Sequence, residues 1–190
     1  MSEYNKEMPA MRPVFDMELM LGLLQETRLG GQVMESLADA WERWLPHLRA
    51  MILTVESKQY LAIWLDEDVE REVDDTWGRS ATEGFRLNAL AQTMIMGAVY
   101  QIVPEVEAAG CAPAPKPTSA LGAALEAEGV PYQEPGGPTL CRRFSVLTHV
   151  PFRGACDICH LRARCPKAAA NAESFHSVEL PGNIPDREGR

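Results

Sequence analysis

A chain of 190 residues is about one domain long, since domains usually run to roughly 100–200 residues. Its hydrophobic content of 46% is enough for one core and argues against a disordered chain, while 18 Lys and Arg against 27 Asp and Glu leave a net charge of −9, a poor match to duplex DNA or an anionic membrane. No apolar run approaches the ~20 residues of a membrane-spanning helix. The N-terminal stretch, with Glu3 and Glu7, lacks the basic-then-apolar layout of an export signal. The sequence therefore reads as a soluble, cytoplasmic protein.

From Val14 to Val103 the apolar residues recur at helical steps. Asp16 is an N-cap candidate for a first helix that Gly30-Gly31 breaks. Val33, Leu37, Ala40, Trp41, Trp44, Leu48, Ile52 and Val55 form a second apolar stripe, with Pro46 predicted to kink or split it. Leu61, Leu65, Val69, Val73 and Trp77, each four apart, predict a third helix whose opposite face, Asp66 to Asp75, is acidic. Ser80 to Glu83 has the pattern of a capping box opening a fourth helix, apolar around most of its circumference and expected at the centre. All four tryptophans, and Met94 to Met96, are expected in the core.

Pro104 and Gly110 close this body, and the Pro-rich run after Cys111 reads as a semi-rigid linker. Thr118 to Glu128 predicts a short helix. Leu140 to Pro151 is too short to separate a helix from a strand, and Lys167 to Phe175 predicts a last helix. The predicted fold is all-α, four or five helices in a bundle, divided as 1–110 helical bundle, 111–137 linker with a short helix, and 138–190 a cysteine-rich segment packed on the bundle.

Charge and cysteine are unevenly spread. Residues 1–140 carry 10 Lys/Arg and 22 Asp/Glu, whereas residues 141–190 carry 8 and 5. The five cysteines are Cys111, Cys141, Cys156, Cys159 and Cys165. In a reducing compartment such clustering points to metal binding or catalysis rather than disulfides. Cys156, Cys159 and Cys165 stand at C-x2-C-x5-C, with Cys141 upstream, and supply the four soft thiolates a [4Fe-4S] cluster requires. Cys111 is a spare that can replace Cys141. Arg142, Arg143, Arg153, Arg162 and Arg164 surround the motif and suit a negatively charged cluster. His149 and His160 fall in the same region, where each is either an exposed polar residue or a partner of a cluster sulfur.

Other metals use parts of this set. A structural Zn2+ site takes the same ligands but usually as two knuckles, and only one is present. Cys156-Asp-Ile-Cys159-His160 matches the attachment pattern of haem c, a chemistry performed outside the cytosol. The acidic stretch Asp66 to Asp75 lacks the Glu-x-x-His pairs of di-metal carboxylate sites; it reads as a solvated face or a docking surface for a basic redox partner.

Over residues 141–167 the motif resembles the [4Fe-4S] clasp that ends helix-hairpin-helix DNA glycosylases and RecB-like nucleases. The glycosylase hairpin has no counterpart before the cysteines, since Leu180-Pro181-Gly182 follows them. The layout is also similar to ferric-siderophore reductases, whose adjacent Cys-Cys pair is absent here, and to the molybdenum-donating accessory protein of nitrogenase assembly. The resemblance implies a cluster-binding motif class. The expected function is electron transfer or metallocluster accessory chemistry, with Cys141, Cys156, Cys159 and Cys165 as ligands and a redox protein as partner. The alternatives are a zinc- or cluster-stapled interaction module without redox turnover and an iron–sulfur protein that processes nucleic acid.

Overall fold

The computed structural model describes residues 4–154, 156–165 and 168. It is a mixed α/β sandwich rather than an all-α bundle. Four strands, β1 (Tyr4–Glu7), β2 (Leu48–Val55), β3 (Lys58–Leu65) and β4 (Ser145–Val150), form one antiparallel sheet in the order β1-β2-β3-β4. The helices are α1 (Met17–Leu24), α2 (Gly31–Trp44), α3 (Glu67–Arg79), α4 (Ala81–Ile102), α5 (Glu105–Ala109) and α6 (Ser119–Ala127).

The expected all-α fold fails in the middle of the chain, for an identifiable reason. Leu61 and Leu65 belong to β3, whereas Val69 and Val73 belong to α3. A spacing of four residues is about one helical turn and also two repeats of a strand, so it fits both geometries. The second stripe divides in the same way: α2 ends at Trp44, a short 3-10 turn crosses Pro46, and Leu48 and Ile52 lie on β2. Both faces of these strands are covered, so their alternation is masked by apolar residues on either side. Leu48, Ala50, Leu61, Ile63 and Leu65 face a core shared with α1 to α5. Met51, Leu53, Val55, Tyr60, Ala62 and Leu147 face a smaller core shared with α6. The turn between β2 and β3 consists of Glu56 and Ser57, both with positive φ, 50° and 64°. Such a two-residue hairpin turn favours Asn-Gly, and Glu-Ser carries no such signal.

The helix starts follow the sequence. Asp16 accepts from the Leu19 N–H, Ser80 from the Glu83 N–H and Thr118 from the Leu121 N–H, capping α1, α4 and α6. α4 is the central helix of the larger core, with Leu90, Met94, Ala98 and Val99 fully buried. Trp41 and Trp44 are core residues, but Trp77 is 41% exposed and lies across Gly84, where a Cβ would stand 2.6 Å from the indole. β4 pairs with β3, and α6 shares the smaller core with β2 and β3. The helix expected from Lys167 to Phe175 and the stretch after Leu180 lie outside the described residues, Ala168 excepted.

Among the described residues no helix is long and apolar enough to cross a membrane.

Candidate metal centre and its surroundings

β4 carries the chain along the outer edge of β3 and releases it after Val150, toward the three clustered cysteines. There the backbone bonds run in steps of three: Cys159 N–H to Cys156 O (3.4 Å), Arg162 N–H to Cys159 O (3.2 Å), Cys165 N–H to Arg162 O (3.3 Å). Residues three apart stand above one another where a turn is of the 3-10 kind. The spacings of three and six therefore place Cys156, Cys159 and Cys165 in one series of turn positions. All three are half-buried, and none forms a disulfide. The His160 N–H donates to Ala114 O (2.9 Å), which fastens this loop to the Pro-rich linker. Arg162 pairs with Asp157 inside the loop (3.1 Å).

The sulfurs do not converge on a single point. Among the described residues, the group of His, Cys, Asp or Glu ligand atoms lying within 4.8 Å of one another is His47, Asp66 and Asp68, and it contains no cysteine. A tetrahedral zinc with Zn–S of about 2.3 Å needs its sulfurs about 3.8 Å apart. A four-iron cube bonds each thiolate to a different iron and spreads them wider. The donor type fits either metal; the spacing is not that of a formed single-zinc site.

The two other cysteines differ in position. Cys141 is exposed, its N–H donating to Pro131 O (2.8 Å), and it precedes β4 at the Ser145 end. Cys156 follows the Val150 end, and six strand residues span about 17 Å. Cys111 is half-buried just after α5 and opens the linker that meets the loop. In that linker Pro113 O accepts from Thr148 Oγ1 (3.1 Å), one residue before Ala114, whose O accepts from the His160 N–H. The linker that Cys111 opens is bonded to the loop at Ala114, whereas Cys141 is bonded to Pro131, after α6, and precedes the two arginines that reach α3.

The expected ring of arginines is likewise divided. Arg142 lies 3.6 Å from Glu70 and 3.8 Å from Glu67. Arg143 binds Asp74 at 2.7 Å, donates its N–H to Glu70 and stacks over Phe144. These two bridge β4 to α3, leaving Arg153, Arg162 and Arg164 beside the cysteine loop. The same contacts occupy much of the acidic face expected to dock a partner. Arg43 and the Trp44 indole N–H take Glu72, and Arg71 takes Asp68. Asp66 binds His47 at 2.9 Å and caps α3, so the His47 cluster reads as the joint between β2 and α3.

Against the loop lies a cavity of about 620 Å³, which pattern reading missed. Its wall includes Lys58 from the start of β3, Lys116 from the linker, His149 from β4, and Arg153 and Ile158 from the segment beyond. They come from three separate stretches of the sequence, which meet at the sheet edge. His149 stacks at a tilt on Tyr60, with ring centroids 5.4 Å apart. Burial, with smaller contributions from Lys58 and Arg153, lowers its pKa and favours the neutral ring. No family model, curated protein or solved structure matches this chain.

Proposed function

We propose that the chain is a cytoplasmic iron–sulfur protein that holds a [4Fe-4S] cluster on its cysteine loop and serves electron transfer or metallocluster accessory chemistry with a redox partner protein. The observation that carries this reading is the loop itself: three unpaired thiols at C-x2-C-x5-C in one series of turns, fastened to the sheet edge through His160 and Ala114. Cys156, Cys159 and Cys165 would hold three irons. The fourth thiolate comes from Cys111 or Cys141, and the linker contact favours Cys111. Four soft thiolates are the donor set such a cluster requires, and the cluster would supply one-electron chemistry. The remaining contribution of the chain is electrostatic: Arg153, Arg162 and Arg164 offset the negative charge of a four-thiolate centre.

Anaerobic purification with iron, sulfide and zinc analysis tests the reading. A brown protein with iron and sulfide in equal amounts is the expected outcome. Stoichiometric zinc in a colourless protein would replace it with the stapled interaction module, since d¹⁰ zinc has no redox chemistry. Single Cys→Ser variants then identify the ligands. Cys156→Ser, Cys159→Ser and Cys165→Ser should each lose the cluster, and whichever of Cys111→Ser and Cys141→Ser also loses it identifies the fourth.

A further inference from the structure

The cavity beside the cysteine loop differs from the other large cleft of the molecule in how its charges are answered. The cleft among α2, α3 and α4, about 440 Å³, is lined by Arg43, Arg79 and Arg86 but also by Glu72 and Glu83. The cavity at the sheet edge is lined by Lys58, Lys116 and Arg153, with no Asp or Glu among the described residues of its wall. The chain as a whole carries a net charge of −9, so this cluster of cations runs against the overall balance. None of the three forms an ion pair with another described residue, whereas Arg43 is held by Glu72 at 2.7 Å. His149 is also a wall residue, and its ring Nε2 is buried without a hydrogen-bond partner among the described residues. Leaving such an atom unbonded is costly, and an acceptor drawn against it would satisfy it in the tautomer whose proton is on Nε2. Thr54, Ser57 and Thr118 add side-chain hydroxyls around the same space.

We propose that this cavity binds a small multivalent oxyanion, of the polycarboxylate or phosphate-ester class, through Lys58, Lys116, Arg153 and His149. Two lysines act as mobile point charges, and the arginine fork suits one planar carboxylate or phosphate edge. The Tyr60 ring beneath His149 holds the imidazole in place. Ile158, between Cys156 and Cys159, forms part of the wall, so a bound anion would sit against the proposed cluster loop. The anion site does not require the cluster, because Lys58, Lys116 and His149 stand on the sheet and linker.

Calorimetric titration tests the proposal, with citrate and pyrophosphate as separate probes added to the purified full-length chain, both as isolated and after metal removal. Saturable binding of one ion per chain is expected. Each of Lys58→Gln, Lys116→Gln and Arg153→Gln should weaken it about 10-fold, the order expected for one charged hydrogen bond. His149→Phe keeps a ring against Tyr60 and should weaken binding too. Arg79→Gln, in the other cleft, should leave it unchanged. The preferred probe distinguishes carboxylate from phosphate. Absence of saturable binding for both probes, or an equal loss in the Arg79 variant, would overturn the proposal. Binding after metal removal is expected as well, and binding in a chain that holds no iron as isolated would overturn only the cluster reading.

Discussion

The sheet sandwich and the cysteine loop hold their shapes by different means. In the sandwich, Leu61, Ile63, Leu90 and Met94 have no exposed surface, and each strand is paired along its length. In the loop from Cys156 to Cys165, no residue is buried; Ile158 and the three cysteines are half-covered, and Leu161 is 39% exposed. Burying one large aliphatic side chain stabilises a fold by about 1.5–3 kcal/mol, so the sandwich can order itself by burial. Among the described residues, the loop has turn bonds and a backbone tether to Ala114. On the proposed reading, a segment so poor in apolar contacts would draw its order from thiolate–metal bonds, the kind its composition offers.

The largest expected effect separates the two regions directly. Leu61→Ala opens a cavity between β3 and the larger core and should cost about 2–5 kcal/mol in denaturant unfolding followed by circular dichroism. Leu161→Ala should stay within about 0.5 kcal/mol of the parent protein. Comparable losses from the two variants would mean that the loop is packed as a second core.

Metal removal gives the next test. A chelator or acid strip should leave the helical and strand signal in place and open only the loop. Trypsin should then cut at Arg153, Arg162 and Arg164, while Arg142 and Arg143 stay protected by Glu70 and Asp74 of α3. Unfolding of the whole molecule in one step on metal loss would show that loop and sandwich form one cooperative unit. That result would end the comparison.

The same contrast explains what could be read from sequence. Helix starts were legible because a cap is a local arrangement: Asp16, Ser80 and Thr118 each meet an N–H three residues on. The cysteine motif was legible because its spacing is contained within ten residues. The sheet was not, because strand identity is decided by partners. β3 finds β2 through a Glu-Ser turn with no hairpin signature, and it finds β4 about 85 residues later. Its Leu61 and Leu65 fit a helical spacing until Leu48 and Trp64, paired respectively to Leu65 and Arg49 across the ladder, show the strand register. The cationic cavity was illegible for a related reason, since Lys58, Lys116 and His149 come from three separate stretches.

Within the sandwich itself the caps give a smaller effect. Ser80→Ala removes the acceptor for the Glu83 N–H at the start of α4, with an expected loss of about 1 kcal/mol. Differential scanning calorimetry would read this as a lower melting temperature for the sandwich. Metal content should not change, because the cap lies on a helix the loop does not touch in the contacts described above.

The smallest effect concerns β1, the strand least embedded in the sandwich. Its residues Asn5, Lys6 and Glu7 are exposed. Its charged tether is Glu128, just past α6, which accepts from Lys6 Nζ and from Tyr4 Oη, each at 2.7 Å. The bond from Lys6 holds the Glu128 carboxyl below its ordinary value, opposed by partial desolvation and reinforced by Tyr4. A carboxyl whose folded pKa is depressed stabilises the fold above the unfolded value, near 4.5, and loses that contribution as pH falls through the folded value. Glu128→Gln should therefore lower the melting temperature slightly at pH 7, by less than the Ser80 variant, because exposed pairs are weakened by solvent. The gap between the two proteins should close as the pH is taken below 4. A gap that persists undiminished at low pH would mean that Glu128 holds β1 by packing and neutral hydrogen bonds, and that the strand is anchored more like the core than like the loop.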